Sequence, residues 1–138
     1  MLKINEIYAS IQGESSHTGL PCVFIRLTGC NLRCSWCDTA YAFYEGNDLT
    51  IEETLQKVET FGLPLVEITG GEPLLQENVY PLMEALLKKG YRVMLETGGA
   101  LPIDKVPERV IKILDIKCPG SGEEKKNHLE NLKFLSPH

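Results

Sequence analysis

Apolar and polar positions along the chain fall into alternating strand-like and helix-like segments. Lys3–Ser10 reads as a first strand. Ile11–Pro21, rich in Gly, Ser and Thr, reads as a loop. Cys22–Thr28 (CVFIRLT) is apolar and β-branched, the pattern of a buried strand. Gly29–Asp48 has no clear period and is expected to be irregular. Thr50 with Glu53 three residues on forms a capping box, which starts a helix running to about Thr60 and stopping near Gly62 and Pro64. Leu65–Thr69 is a short strand. A helix from about Asn78 to Lys89 carries Leu82, Leu86 and Leu87 on one face and ends at Gly90. Pro81 is tolerated only in its first turn, so the regular helix starts nearer Tyr80. Arg92–Thr97 and Val110–Ile116 read as further strands. Glu123–Asn131 reads as a helix and Lys133–Leu135 as a last strand.

This alternation predicts an α/β fold with a mostly parallel sheet. There is no internal repeat, low-complexity tract or linker. The chain, residues 1–138, fits one domain. A complete eight-fold barrel takes about 250 residues, so only part of one fits. Ser136-Pro137-His138 follows directly on the last predicted strand, and we expect a chain cut short at its C-terminus.

Composition narrows the class. Apolar residues make up 43% and charged residues 24%, as in ordinary globular proteins. A net charge of −5 argues against a general nucleic-acid or membrane-surface binder. No segment approaches the ~18 consecutive apolar residues of a membrane span. The first residues, Met1–Glu6, lack the layout of a signal peptide, so the expected location is cytoplasmic. Five cysteines are an odd number, and three of them crowd into residues 30–37. In a reducing compartment that favours a metal or cluster over disulfides.

Cys30, Cys34 and Cys37 have the spacing CxxxCxxC. Three thiolates on one loop can hold three irons of a 4Fe-4S cluster and leave the fourth open to a ligand. The competing reading is a zinc knuckle completed by His17, Cys22 or Cys118. Structural zinc sites usually pair one CxxC with another, and no second CxxC exists here. The chemically unusual residues all read as following strand C-termini, where parallel α/β folds gather their active sites.

CxxxCxxC with Trp36 before the last cysteine resembles the radical S-adenosylmethionine (SAM) signature. Gly70-Gly71-Glu72-Pro73 resembles the same superfamily's GGEP motif. Six further segments resemble the 7-carboxy-7-deazaguanine synthase (QueE) family. They are Ile11–Ser15, Phe24–Leu27, Cys37–Thr39, Glu96–Gly98, Asp115–Pro119 and Ser136-Pro137. The resemblance implies a partial, open (β/α) barrel of the radical SAM type. It implies a lyase that contracts 6-carboxy-5,6,7,8-tetrahydropterin to 7-carboxy-7-deazaguanine with loss of ammonia, in queuosine and 7-deazapurine biosynthesis. Its cofactors would be a 4Fe-4S cluster, SAM and Mg²⁺. Its partners would be a flavodoxin-type electron donor and a second copy in a homodimer.

Carried over residue by residue, Cys30, Cys34 and Cys37 match cluster ligands and Thr39 matches a Mg²⁺ ligand. Trp36, Cys37, Asp38, Gly71, Glu72, Ser136, Pro137 and His138 match SAM contacts. Ile11, Gln12, Gly13, Glu14, Arg26 and Thr69 match substrate contacts, Arg26 with the substrate carboxylate. Simpler readings stand beside these. Gln12–Glu14 and Gly70-Gly71 could be turns, Thr39 a cap, and Arg26 one half of a structural ion pair. Glu72 and Glu96 could cap helices, Asp115 and Lys117 could pair with each other, and Cys22 and Cys118 could line the core or the pocket. The rival functions are a glycyl-radical-enzyme activase, a non-enzymatic zinc or iron–sulfur module, and an inactive fragment.

Overall fold

A computed structural model describes residues 1–137. Its strands are β1 (Leu2–Ile11), β2 (Pro21–Leu27), β3 (Asn47–Leu49), β4 (Leu65–Gly70), β5 (Arg92–Thr97) and β6 (Ile111–Leu114). Two α-helices, α1 (Ile51–Glu59) and α2 (Val79–Lys88), lie between them. The strands form one sheet in the order β3-β1-β2-β4-β5-β6. β2, β4, β5 and β6 are parallel, while β1 runs antiparallel to β2 and to β3.

The parallel strands are neighbours in chain order, so the sheet winds one way and right-handed crossovers carry α1 and α2 to the same face. Val23, Ile25 and Leu27 of β2, Val66 and Ile68 of β4, and Val93 and Leu95 of β5 pack there. Against them lie Leu55 and Val58 of α1 and Leu82, Met83 and Leu86 of α2. Alternate residues point the other way. Cys22, Phe24, Leu65 and Met94 make a second, smaller apolar layer there. A sheet covered by helices on one face and lined on the other is the wall of a partial, open (β/α) barrel.

The expected helices form for the expected reasons. Glu53 N donates to Thr50 Oγ1 at 3.1 Å, and Thr50 N donates to Glu53 Oε2 at 2.7 Å. This capping box is worth about 1 kcal/mol. Pro81 is the third residue of α2, where its missing N–H would have no partner in the helix.

Three segments differ from expectation. Asn47 and Asp48 lie at the end of the stretch expected to be irregular, yet with Leu49 they pair with β1 at the sheet edge. Glu123–Asn131 is not an α-helix, and Lys133–Leu135 is not a strand. The chain there makes 3₁₀ turns at Glu124–Lys126 and Leu129–Phe134. The cause is two asparagines whose amides bond to backbone elsewhere. Asn127 accepts from Lys117 N at 2.9 Å and donates to Lys117 O at 2.8 Å. Asn131 accepts from Ile103 N at 3.1 Å and donates to Leu101 O at 2.8 Å. These bonds tie the segment to the exit of β6 and to the β5–β6 loop, in competition with helix formation.

Candidate active site

The C-terminal ends of β4 and β5, the segment after β6 and the cysteine loop enclose a cleft of about 360 Å³. Cys30, Cys34 and Cys37 all line it, as free thiols. Cys30 and Cys34 are half-buried and Cys37 is exposed. Burial pushes the Cys30 thiol up, and Leu32 N, donating to its sulfur at 3.4 Å, works the other way. Among the described residues no three His, Cys, Asp or Glu side chains stand close enough to hold one metal ion. Three free thiols lining one cleft suit a cluster, in which each takes its own iron.

Two supports hold the cysteine loop. From below, Glu72 N donates to Gly29 O at 2.7 Å. Gly71 has to be glycine, because a Cβ there would overlap Gly29 O and Cys30 Cβ. From the β6 side, Ser35 N donates to Ser121 O at 3.0 Å and Ser35 Oγ to Gly120 O at 2.8 Å. Arg33 N donates to Glu123 Oε1 at 3.1 Å, and the Arg33 guanidinium lies 4.2 Å from the centre of the Phe43 ring. The Trp36 ring covers Gly120, where a Cβ would come within 2.9 Å of it. Cys118, expected in the core or the pocket wall, instead opens this supporting turn and is exposed. Cys22 is fully buried in the second layer.

Of the residues proposed from sequence, Glu14, Trp36, Asp38, Thr39, Thr69 and Gly71 line the same cleft as the cysteines. Thr39 Oγ1 donates to Asp38 Oδ1 at 2.5 Å. Gln12 is buried beneath the cleft, with Ile11 and Gly13 exposed beside it. Arg26 is turned aside from the wall. Its Nε donates to Glu6 Oε1 at 2.8 Å and its Nη2 to Tyr8 Oη at 2.9 Å, between the Tyr8 and Tyr41 rings. Glu72 is 0% exposed and does not line the cleft. Its carboxylate accepts from Leu74 N at 3.0 Å, Gly98 N at 2.8 Å and Thr97 Oγ1 at 2.9 Å. Ser136 sits in a separate surface groove with Asp104, Glu108 and Lys112, and Pro137 is exposed. His138 lies outside the described residues.

Glu96, Asp115 and Lys117, expected from sequence only as a helix cap and a salt bridge, also line the cleft. Each stands at or just beyond the end of a parallel strand, a position that marks it out. Lys117 Nζ pairs with Asp115. Burial works to lower the Lys117 ammonium, but the Asp115 partner wins and holds it up. Glu14 is pushed up, first by the Glu96 charge and then by burial and by Asp115. The wall is therefore acidic, with Lys117 as its cation. It suits a ligand rich in N–H donors.

The family model described as "Radical SAM superfamily" matches residues 24–118. The chain is 52% identical over 139 residues to the 7-carboxy-7-deazaguanine synthase of Koribacter versatilis, covering 99% of this chain and 62% of that protein. It is 51% identical to the enzyme of the same name from Chlorobaculum tepidum, covering 95% and 60%. The crystal structure of QueE from Escherichia coli superposes with a TM-score of 0.81 at 26% identity, covering 97% of this chain and 68% of that one. The chain thus spans about three fifths of the length of these two curated relatives. With the cysteine loop and the Gly70-Gly71 turn meeting in one cleft, this chain belongs to the radical SAM superfamily.

Proposed function

We propose that the cleft contracts 6-carboxy-5,6,7,8-tetrahydropterin to 7-carboxy-7-deazaguanine with loss of ammonia. One observation carries the reading. The three thiols share a cleft with the hydroxyl of Thr69 and the carboxylates of Glu14 and Glu96, the groups a pterin edge would meet. Identity of 52% to a relative named for this product supports it.

Cys30, Cys34 and Cys37 would hold the cluster. Trp36, Asp38 and the Gly71 backbone would hold SAM. When bound, the cluster and SAM supply the radical that starts the reaction. Thr39 offers a hard oxygen to Mg²⁺, with Asp38 beside it. Thr69 and Glu14 would take pterin N–H groups, and Gln12, between Ile11 and Gly13, sets the loop that carries Glu14. Arg26 lies in register with Thr69 on the neighbouring strand and would pair with the substrate carboxylate once released from Glu6. Glu72 acts one step back by placing Gly98, so it is left out of the SAM contacts, as are Ser136 and Pro137.

The same proposal treats residues 1–138 as one radical SAM domain. It also includes a homodimer, a flavodoxin-type electron donor and a place in the cytoplasm. Likeness to the family supports these four. No helix among the described residues is long and apolar enough to cross a membrane. The test is anaerobic turnover of the pterin by the cluster-loaded chain with SAM, Mg²⁺ and a low-potential reductant such as dithionite to reduce the cluster, read by mass spectrometry. A product lighter by one ammonia is expected, and unchanged pterin would overturn the proposal.

A further inference from the structure

Behind the cleft wall, on the inward face of the sheet, Glu67 stands in the middle of β4 with 1% of its surface exposed. It lies in register with Phe24 of β2 and Met94 of β5. Gln12 Nε2 donates to Glu67 Oε2. Two residues beyond Met94 on the same face stands Glu96, placed to share a proton with the Glu67 carboxyl. Glu96 Oε2 also accepts from Thr69 Oγ1 at 3.3 Å. Glu96 and Thr69 line the cleft and Glu67 does not.

Two carboxyl groups hydrogen-bond to each other only when one keeps its proton. The surroundings assign that proton to Glu67. The groups that act on it are Glu96 of β5, Gln12 and Glu14 of the β1–β2 loop, and the Cys22 thiol of β2, with Met94 beside it in register. None is a cation. Arg92, further back on β5, is turned to His17 Nε2 at 2.7 Å. Burial first, then the bond to Glu96 and its charge, push Glu67 up to about 8. Burial and the Glu67 charge push the Cys22 thiol up to about 12.

We propose that Glu67 is a positioning residue of the cleft: as a neutral acid it donates to the Glu96 carboxylate and accepts from Gln12. The second bond reaches the Glu14 loop, because Gln12 Oε1 accepts from Glu14 N at 3.2 Å. One buried carboxyl thereby orients two wall carboxylates, and the Glu67–Glu96 pair carries one negative charge instead of two. That arrangement fits a neutral ring edge offering N–H donors.

The inference rests on the proposed reaction for its kinetic test, so a second readout is independent of turnover. Glu67→Gln imitates the neutral acid: its amide N–H donates to Glu96 and its C=O accepts from Gln12. Glu67→Leu removes both bonds. In the cluster-loaded full chain, Glu67→Leu is expected to raise KM for the carboxytetrahydropterin about tenfold, with a smaller effect on kcat. Glu67→Gln is expected to rescue KM to within about twofold of the parent. Infrared difference spectra of the unloaded chain at about pH 7 should show a protonated-carboxyl C=O band that Glu67→Gln removes. Absence of that band, or a Glu67→Gln protein as impaired as Glu67→Leu, would overturn the proposal. A parent chain that shows the band but never turns over the pterin would support the carboxyl pair and overturn the proposed reaction.

Discussion

Thr97 Oγ1 stands 2.9 Å from both carboxylate oxygens of Glu72. The bond joins the turn after β4 to the end of β5, the two strands whose tips form the back of the cleft. The motif glutamate is thus a strut inside the wall. Thr97→Val keeps the shape and deletes this donor, and it is expected to cost about 1–3 kcal/mol of stability in urea unfolding. Glu72→Ala should cost more than Glu72→Gln, because the alanine leaves Leu74 N and Gly98 N buried without an acceptor. A Glu72→Ala protein as stable as the parent would contradict the strut.

The contact between Trp36 and Gly120 makes a prediction about cluster retention. A methyl group on Gly120 would press on the Trp36 ring and push the cysteine loop off its support. Gly120→Ala should leave the melting temperature of the unloaded protein within a few degrees of the parent, because both groups lie at the surface. After anaerobic reconstitution it should hold clearly less iron and sulfide. Equal iron content would show that the loop is held elsewhere.

The strands were legible because their apolar runs are bounded by Gly, Pro and polar residues, and the helices because Thr50, Glu53 and Gly90 mark their ends. Asn47-Asp48-Leu49 carries no strand signal, since its pairing depends on β1 lying beside it. Glu67 was hidden for a similar reason. In Leu65-Val66-Glu67-Ile68-Thr69 it looks like an ordinary solvent-facing position. Only closure of the inner face by Gln12, Met94 and Glu96 makes it a buried acid. The ion pairs of Arg26 with Glu6 and of Lys117 with Asp115 realise the simpler readings of those residues. Whether Arg26 also meets substrate depends on how firmly Glu6 keeps it.

That question can be answered kinetically. Glu6 holds the Nε of the Arg26 fork, a donor for which a substrate carboxylate would compete. Glu6→Gln should therefore lower KM for the carboxylated pterin. Arg26→Lys, which loses the planar fork, should raise KM about tenfold or more. Unchanged KM in both variants would remove Arg26 from the substrate site.

Glu67 also sets a pH dependence of stability. Its folded-state value of about 8 lies above the ordinary 4.5 of a glutamate carboxyl. The folded state therefore binds the extra proton. Stability from this group is full below the unfolded value and is lost as pH rises towards and through about 8. Glu67→Gln has no proton to lose. Its stability relative to the parent should rise steadily between those two values and level off above them, as measured by urea midpoints across the range. A constant difference would mean that Glu67 is already ionised in the folded protein.

The identity of the cysteine site is the central claim. It is tested most directly by electron paramagnetic resonance of the anaerobically reconstituted, reduced chain before and after SAM is added, with metal analysis alongside. The expected result is about four irons per chain and a cluster signal that shifts when SAM binds. A chain holding zinc alone, or a cluster signal indifferent to SAM, would contradict it.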